Sequence, residues 1–152
     1  MNELLTAYVL PCLWCFFACV GFGPVFNIQG RGILICGVGA ALGWLIYLVS
    51  MDLWGGDILA AFLAAGGIGI FSEVMARIRR CPVTGYLQVA LLPLVPGSGI
   101  YRAMQHCIAG DTDLFLSTLL HTLGFAAALS VGAMLAASVL RSLLPHTRWG
   151  GR

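Results

Sequence analysis

The sequence predicts an all-α integral membrane bundle of about five transmembrane helices, the fourth broken at a Pro/Gly segment. Three observations carry this. The 152 residues are 60% hydrophobic and only 9% charged, with mean hydropathy +0.96; a soluble domain carries about 25% charged residues. The apolar residues fall into runs long enough to cross a bilayer, which takes about 20 residues per helix. One run is interrupted by two prolines and two glycines between Pro93 and Gly99.

The first span is read as 4–22. The N-terminus has an acid and no basic residue, so the positive n-region of a cleavable leader is missing and the stretch reads as retained. A Gly-Phe-Gly-Pro turn, Gly21 to Pro24, ends it. The second span covers 33–51, and a connection with Asp52, Gly55, Gly56 and Asp57 follows. The third covers 58–76 and closes on Arg77, Arg79, Arg80 and Pro82. The last, 114–140, is long enough to span with tilt or to project at one end. All five are read as one transmembrane domain, 1–152.

Between the third and last spans the run from Val83 to Pro96 is too short to cross alone, since a helix rises only about 1.5 Å per residue. It is either re-entrant or the first half of a broken span, 83–108. Charge decides. The eight basic residues are all arginine, and positive charge marks the cytoplasmic side of short loops. Five crossings put Arg31, Arg77, Arg79, Arg80, Arg141, Arg148 and Arg152 inside, with the N-terminus outside; four would separate the last three from the rest. Arg102, just beyond the break, is the exception.

Small residues recur every four positions at Gly124, Ala128, Gly132 and Ala136, and in the sets Ala61, Ala65, Gly69 and Gly39, Gly43. In lipid such stripes mark faces where helix backbones approach closely.

Several function classes are disfavoured. Net charge +2 is too small to suggest nucleic-acid binding. Cys12, Cys15 and Cys19 lie in an apolar helix, where a thiolate metal site would place ionised ligands in hydrocarbon; with Cys36, Cys81 and Cys107 they read as small apolar residues. The glycines of GVGAALG lie inside a span, no nucleophile or zinc motif is present, and His106, His121 and His146 fall in separate segments. The chain reads as no enzyme, with no metal site and no cofactor.

Polar groups within spans are expensive and carry weight. Glu73 and Arg77 stand at i and i+4 in the favourable order and read as an interfacial ion pair, or as proton or substrate coupling. His121 lies on the small-residue face, expected to point into protein, as a hydrogen-bonded core histidine or a proton relay. Asp52 and Asp57 read as solvated loop acids. The break has the strongest case. A helix restarting at Gly97 to Gly99, with Ser98 as cap, would present unpaired N–H groups to an anion. Glycine allows close approach, Tyr101 adds a hydroxyl, and Arg102 adds a fork for a carboxylate. The plainer reading is a tight loop with Arg102 at the outer headgroups. The expected substrate-binding residues are therefore Gly97, Ser98, Gly99, Tyr101 and Arg102.

Three pieces, GFGPVFNIQGRGILICGVGAALG, GIGIFSEVMARIRRCP and LLPLVPGSGIYRAM, resemble in order and spacing the small subunit of the threonine/serine exporter family. The resemblance implies pairing with a larger membrane subunit and export of threonine and serine, or of dicarboxylates such as succinate in some two-subunit members. It brings no agreed catalytic residues. The expectation is a multi-pass subunit of a proton-driven secondary exporter in a bacterial inner membrane, surrounded by lipid and in some larger oligomer. A non-transporting assembly or anchoring subunit, and a small channel, are the alternatives.

Overall fold

The computed structural model describes residues 5–143. Arg148 and Arg152, on which part of the charge argument rests, lie outside the described residues. All regular structure among the described residues is helical. A π-helical turn, Leu5–Val9, leads into α1 (Leu10–Phe22). Then come α2 (Arg31–Trp54), α3 (Asp57–Arg79), α4 (Val83–Leu91) with a 3-10 turn at Leu92–Leu94, α5 (Gly97–Ala109) and α6 (Thr112–Leu143). By length and apolarity α2, α3 and α6 each suffice to cross a membrane. The α4–α5 pair qualifies as one span bent by 49°, and the first apolar helix is shorter.

Local chemistry sets the boundaries. Gly55 ends α2 and Gly110 ends α5, both left-handed, with φ of 63° and 82°; only glycine adopts this without a Cβ penalty. Pro82 precedes α4, where its fixed φ and missing N–H cost nothing. Pro93 removes the donor that would have continued α4 onto the Val89 carbonyl. That carbonyl is instead met by the Leu92 N–H and by the buried Cys19 thiol, which donates at 3.1 Å. The cysteine motif of α1 thus helps satisfy the backbone that a proline leaves open in α4.

Tertiary contacts fix the direction of each pass. Phe16 of α1 lies against Gly37 of α2, and Tyr8 donates to Asp52 at the other end, so α1 and α2 are antiparallel. Gly39 meets Phe71 and Gly43 meets Ile68, so α2 and α3 are antiparallel too. α3 and α6 run in the same direction: Asp57 lies beside His121 near their starts, Gly69 faces Ala136, and Glu73 meets Arg141 near their ends. A parallel pair needs a return pass, which α4 and α5 supply. Tyr86 sits beside Gly32 at one end of the bundle, and Gly99 packs on Thr122 toward the other. The broken segment therefore crosses the bundle instead of folding back.

This topology sorts charge by end. Arg31, Arg77, Arg79, Arg80 and Arg141 gather at one end, and Asp52, Asp57, Asp111 and Asp113 at the other. Because Asp57 opens α3 beside His121, the first part of α6, Thr112–Leu120, extends roughly 13 Å past the start of α3. The long last helix thus projects at the acidic end, with α5 alongside.

Two clusters form the core. Ala61, Ala64, Ala65 and Ile68 of α3 pack with Ala90, Leu94, Phe125 and Leu129. Cys19, Cys36, Ala40, Ala76, Tyr86 and Val89 pack toward the basic end. The small-residue sets explain the closeness. A Cβ built on Gly69 would stand 2.7 Å from that of Ala136, and one on Gly132 would run into the Phe62 carbonyl. The stripe on α6 divides: Gly132 and Ala136 are buried on α3, whereas Gly124 and Ala128 remain half-open.

Candidate functional site

Three polar arrangements interrupt the apolar bundle. At the break, the 3-10 turn ends in an extended Val95, and α5 starts behind Pro96. The Gly97 N–H bonds the Val95 carbonyl at 2.7 Å, and Ile100 bonds Pro96 at 3.3 Å. The N-cap is Pro96 with no side-chain cap bond, so Ser98 lies inside the first turn and does not cap it as the sequence suggested. Gly97 and Ser98 are exposed, and a Cβ on Gly97 would meet nothing within 4 Å. Gly99 differs: a Cβ there would stand 2.5 Å from Thr122 Oγ1, so its bareness lets α5 pack closely on α6. Tyr101 is exposed and accepts a hydrogen bond from Gln105 at 3.2 Å. Arg102 is exposed, and among the described residues no carboxylate comes within ion-pair distance of it. Ala103 is the buried anchor of α5. The helix turns one small face to α6 and leaves Tyr101 and Arg102 on the outside of this chain.

At the basic end, Glu73 is 3% exposed. Its closest partner is Arg141, whose Nε donates to Oε1 at 3.0 Å; Arg77, the neighbour at i+4, stands 3.7 Å from Oε2. Arg77 also reaches the Leu140 carbonyl at 3.5 Å. The pair expected within one helix is thus part of a tie between the ends of α3 and α6.

At the acidic end, Asp57 accepts from Tyr47 through Oδ1, and its Oδ2 lies 3.8 Å from His121 Nε2. His121 is not buried on the packing face: its side chain is 55% exposed, because that face passes through Thr122 and Phe125 instead. Nor are Asp52 and Asp57 plain solvated acids, since each accepts a tyrosine hydroxyl. Asp57 and His121 border an open groove of about 700 Å³ between α3 and α6, otherwise lined by apolar and small residues such as Phe62, Gly124 and Ala128.

The sequence reading missed the roles of Asp57, Tyr47 and Arg141. One signal was available: α3 carries an acid near each end, and α6 carries a basic or protonatable residue near each end. That pattern suits two parallel neighbours, but only once they are known to be parallel.

The break, the charge sorted by end and the small-residue seams define a multi-pass membrane protein of the helical-bundle type, with polar groups held at both ends of an apolar interior. The family model described as "Threonine/Serine exporter, ThrE" matches residues 11–139, and the chain belongs to this family. A protein of Mycobacterium tuberculosis described as a probable threonine/serine exporter is 30% identical over 107 residues, covering 69% of this chain and 20% of that protein. A threonine/serine exporter of Corynebacterium glutamicum is 26% identical over 115 residues, covering 76% of this chain and 23% of its own length. An uncharacterised protein of Haemophilus influenzae is 27% identical over 85 residues, 56% of this chain and 29% of the relative. The chain thus spans between a fifth and a third of the length of these relatives. No solved structure matches it.

Proposed function

We propose that this chain is the small subunit of a two-component secondary exporter in a bacterial inner membrane. It would move small carboxylate metabolites, threonine and serine or dicarboxylates such as succinate, outward at the expense of a proton gradient. The observation that carries the reading is Arg102 on the outer face of α5, just beyond the break and without a carboxylate partner among the described residues. A guanidinium fork beside the open first turn of a helix suits a carboxylate. This chain alone does not enclose the site, which fits a second component that does. The share of the longer relatives that the chain leaves uncovered points the same way.

In this reading Gly97, Ser98, Tyr101 and Arg102 contact the substrate, and Gly99 holds α5 on α6. His121 with Asp57 is the better placed of the two proton-coupling candidates, because it is half-open to the groove. Glu73, held by two arginines, is the inner tie between helices. The exposure of the break also favours a second reading, in which this chain anchors and assembles a partner that holds the whole path.

The test is purification with the larger subunit from native membrane, followed by efflux of labelled threonine and of succinate from reconstituted vesicles, with and without a proton gradient. Gradient-dependent efflux that needs both subunits supports the reading. Efflux by the larger subunit alone, at the rate of the complex, would leave this chain an anchoring subunit.

A further inference from the structure

We infer that the groove between α3 and α6 seats a membrane-spanning helix of the exporter's other component, an inference that rests on the two-component reading above. The groove arises where two closely packed helices part. From Gly132 to Ala136, α6 is seated on Phe62, Ala65 and Gly69. Toward the acidic end the same small stripe continues through Ala128 and Gly124, but these residues form an open floor between Ile58, Phe62 and Val131. The floor is thus a half-open continuation of a helix-packing seam, touched on one side by Ile58 and the core and open on the other, at the same four-residue spacing that the closed part presents to α3. Small residues of this kind let a second backbone approach closely, whereas loose acyl chains gain little from them.

Lipid alone is a poor occupant for a second reason. The groove is headed by Asp57 and His121, with side chains 36% and 55% exposed. A carboxylate at the head of an apolar groove favours an occupant that brings it a donor, which an acyl chain lacks. Asp57 Oδ1 already accepts from Tyr47, but Oδ2 stands 3.8 Å from His121, beyond hydrogen-bond length, and has acceptor capacity left. The occupant is therefore a helix with small residues along one face and a donor side chain, basic or hydroxyl, near its outer end. A second copy of this chain fits badly. A two-fold axis along the membrane normal keeps equivalent residues at one depth, which would bring Asp57 toward its own copy. The relatives are several times longer than the matched segment and so have further chain available to pack on such a unit.

The experiment uses the complex in native membranes. A photo-crosslinking amino acid is placed at Ala127, which is exposed and lines the groove, and at Ser130, which is exposed on the same helix and turned away from the groove floor. Mass spectrometry of the product from Ala127 should identify a transmembrane segment of the larger subunit, with at least ten-fold less product from Ser130. Ala128→Trp, which fills the floor, should cut co-purification of that subunit at least ten-fold, while Leu123→Trp, exposed on a face of α6 about 140° away, leaves it unchanged. The crosslinks decide the matter if Ala128→Trp does not fold. Crosslinking at Ala127 only to lipid or to a second copy, with the larger subunit still co-purifying, overturns the groove assignment and leaves the two-component reading standing. A wild-type chain that brings down no larger subunit overturns both.

Discussion

Arg141, near the end of α6, donates from Nε at 3.0 Å to the carboxylate of Glu73, which is buried near the end of α3. The bond joins the basic ends of two parallel helices, as Asp57 and His121 approach one another toward the acidic end. Removing one member of such a pair leaves a buried charge short of a partner. Arg141 is itself 66% exposed and Arg77 remains, so the cost falls well below that of a fully buried pair. Arg141→Ala should destabilise the purified protein by roughly 2 kcal/mol, the scale of a hydrogen bond to a charged group. Arg80→Ala should leave its melting temperature unchanged. Equal melting of the two variants would show that the tie contributes nothing.

Gly132→Leu should impair folding and assembly far more than Leu135→Ala. Gly132 lies against the Phe62 carbonyl and the Ala65 side chain, with no room for a branched group, whereas Leu135 is 50% exposed on the flank of α6. Overpacking of this kind costs about 1–3 kcal/mol or more. Subunit yield and melting in detergent give the answer, and parity between the variants would mean that the seam is looser than its contacts imply.

How far the sequence carried this picture can be read from these same helices. Span positions followed from hydropathy, and the break from Pro93 and Pro96, because both are local properties. The seam at Gly132 was visible as a four-residue repeat. Its limit was not, since Gly124 and Ala128 belong to the same repeat and differ only in where α3 diverges. The partners Arg141 for Glu73 and His121 for Asp57 depend on the register of helices far apart in the chain, which no local pattern encodes. The cap assigned to Ser98 is displaced for a local reason. The helix is capped at Pro96, two residues before Ser98, and Gly99 within its first turn packs on Thr122.

Cys19→Ala should lower stability by about 1 kcal/mol, because the Val89 carbonyl loses a buried donor while keeping the Leu92 N–H. Cys19→Ser supplies a stronger donor in nearly the same volume and should restore most of the loss. Thermal unfolding of the two variants measures it. A serine variant as weak as the alanine variant would assign the effect to packing.

The arginine-rich end should face the cytoplasm and the aspartate-rich end the outside. Single cysteines at Arg80 and Asp111, in a background lacking the native exposed cysteines, should react with impermeant maleimide on opposite sides of the membrane. The position at Asp111 should be labelled in intact cells and that at Arg80 only after lysis. Labelling of both from one side would break the five-pass arrangement.

Arg102 provides the test of transport itself. A carboxylate leaving water needs donors and positive charge in return, and Arg102 offers a planar fork with no competing carboxylate among the described residues. Arg102→Lys keeps the charge and loses the fork, so efflux should fall several-fold. Arg102→Gln loses both and should reduce efflux at least ten-fold. Gly97→Val is the companion variant. A Cβ at Gly97 meets nothing within 4 Å in this chain, so the fold should tolerate the substitution, and a loss of transport would come from what approaches the helix start from outside. Gly99→Val, by contrast, strikes Thr122 and should reduce assembled protein before any effect on substrate is seen. Efflux from reconstituted vesicles, normalised to assembled complex, separates these outcomes. Wild-type efflux and unchanged apparent affinity in Arg102→Gln would remove Arg102 from the substrate path and return it to the outer headgroups.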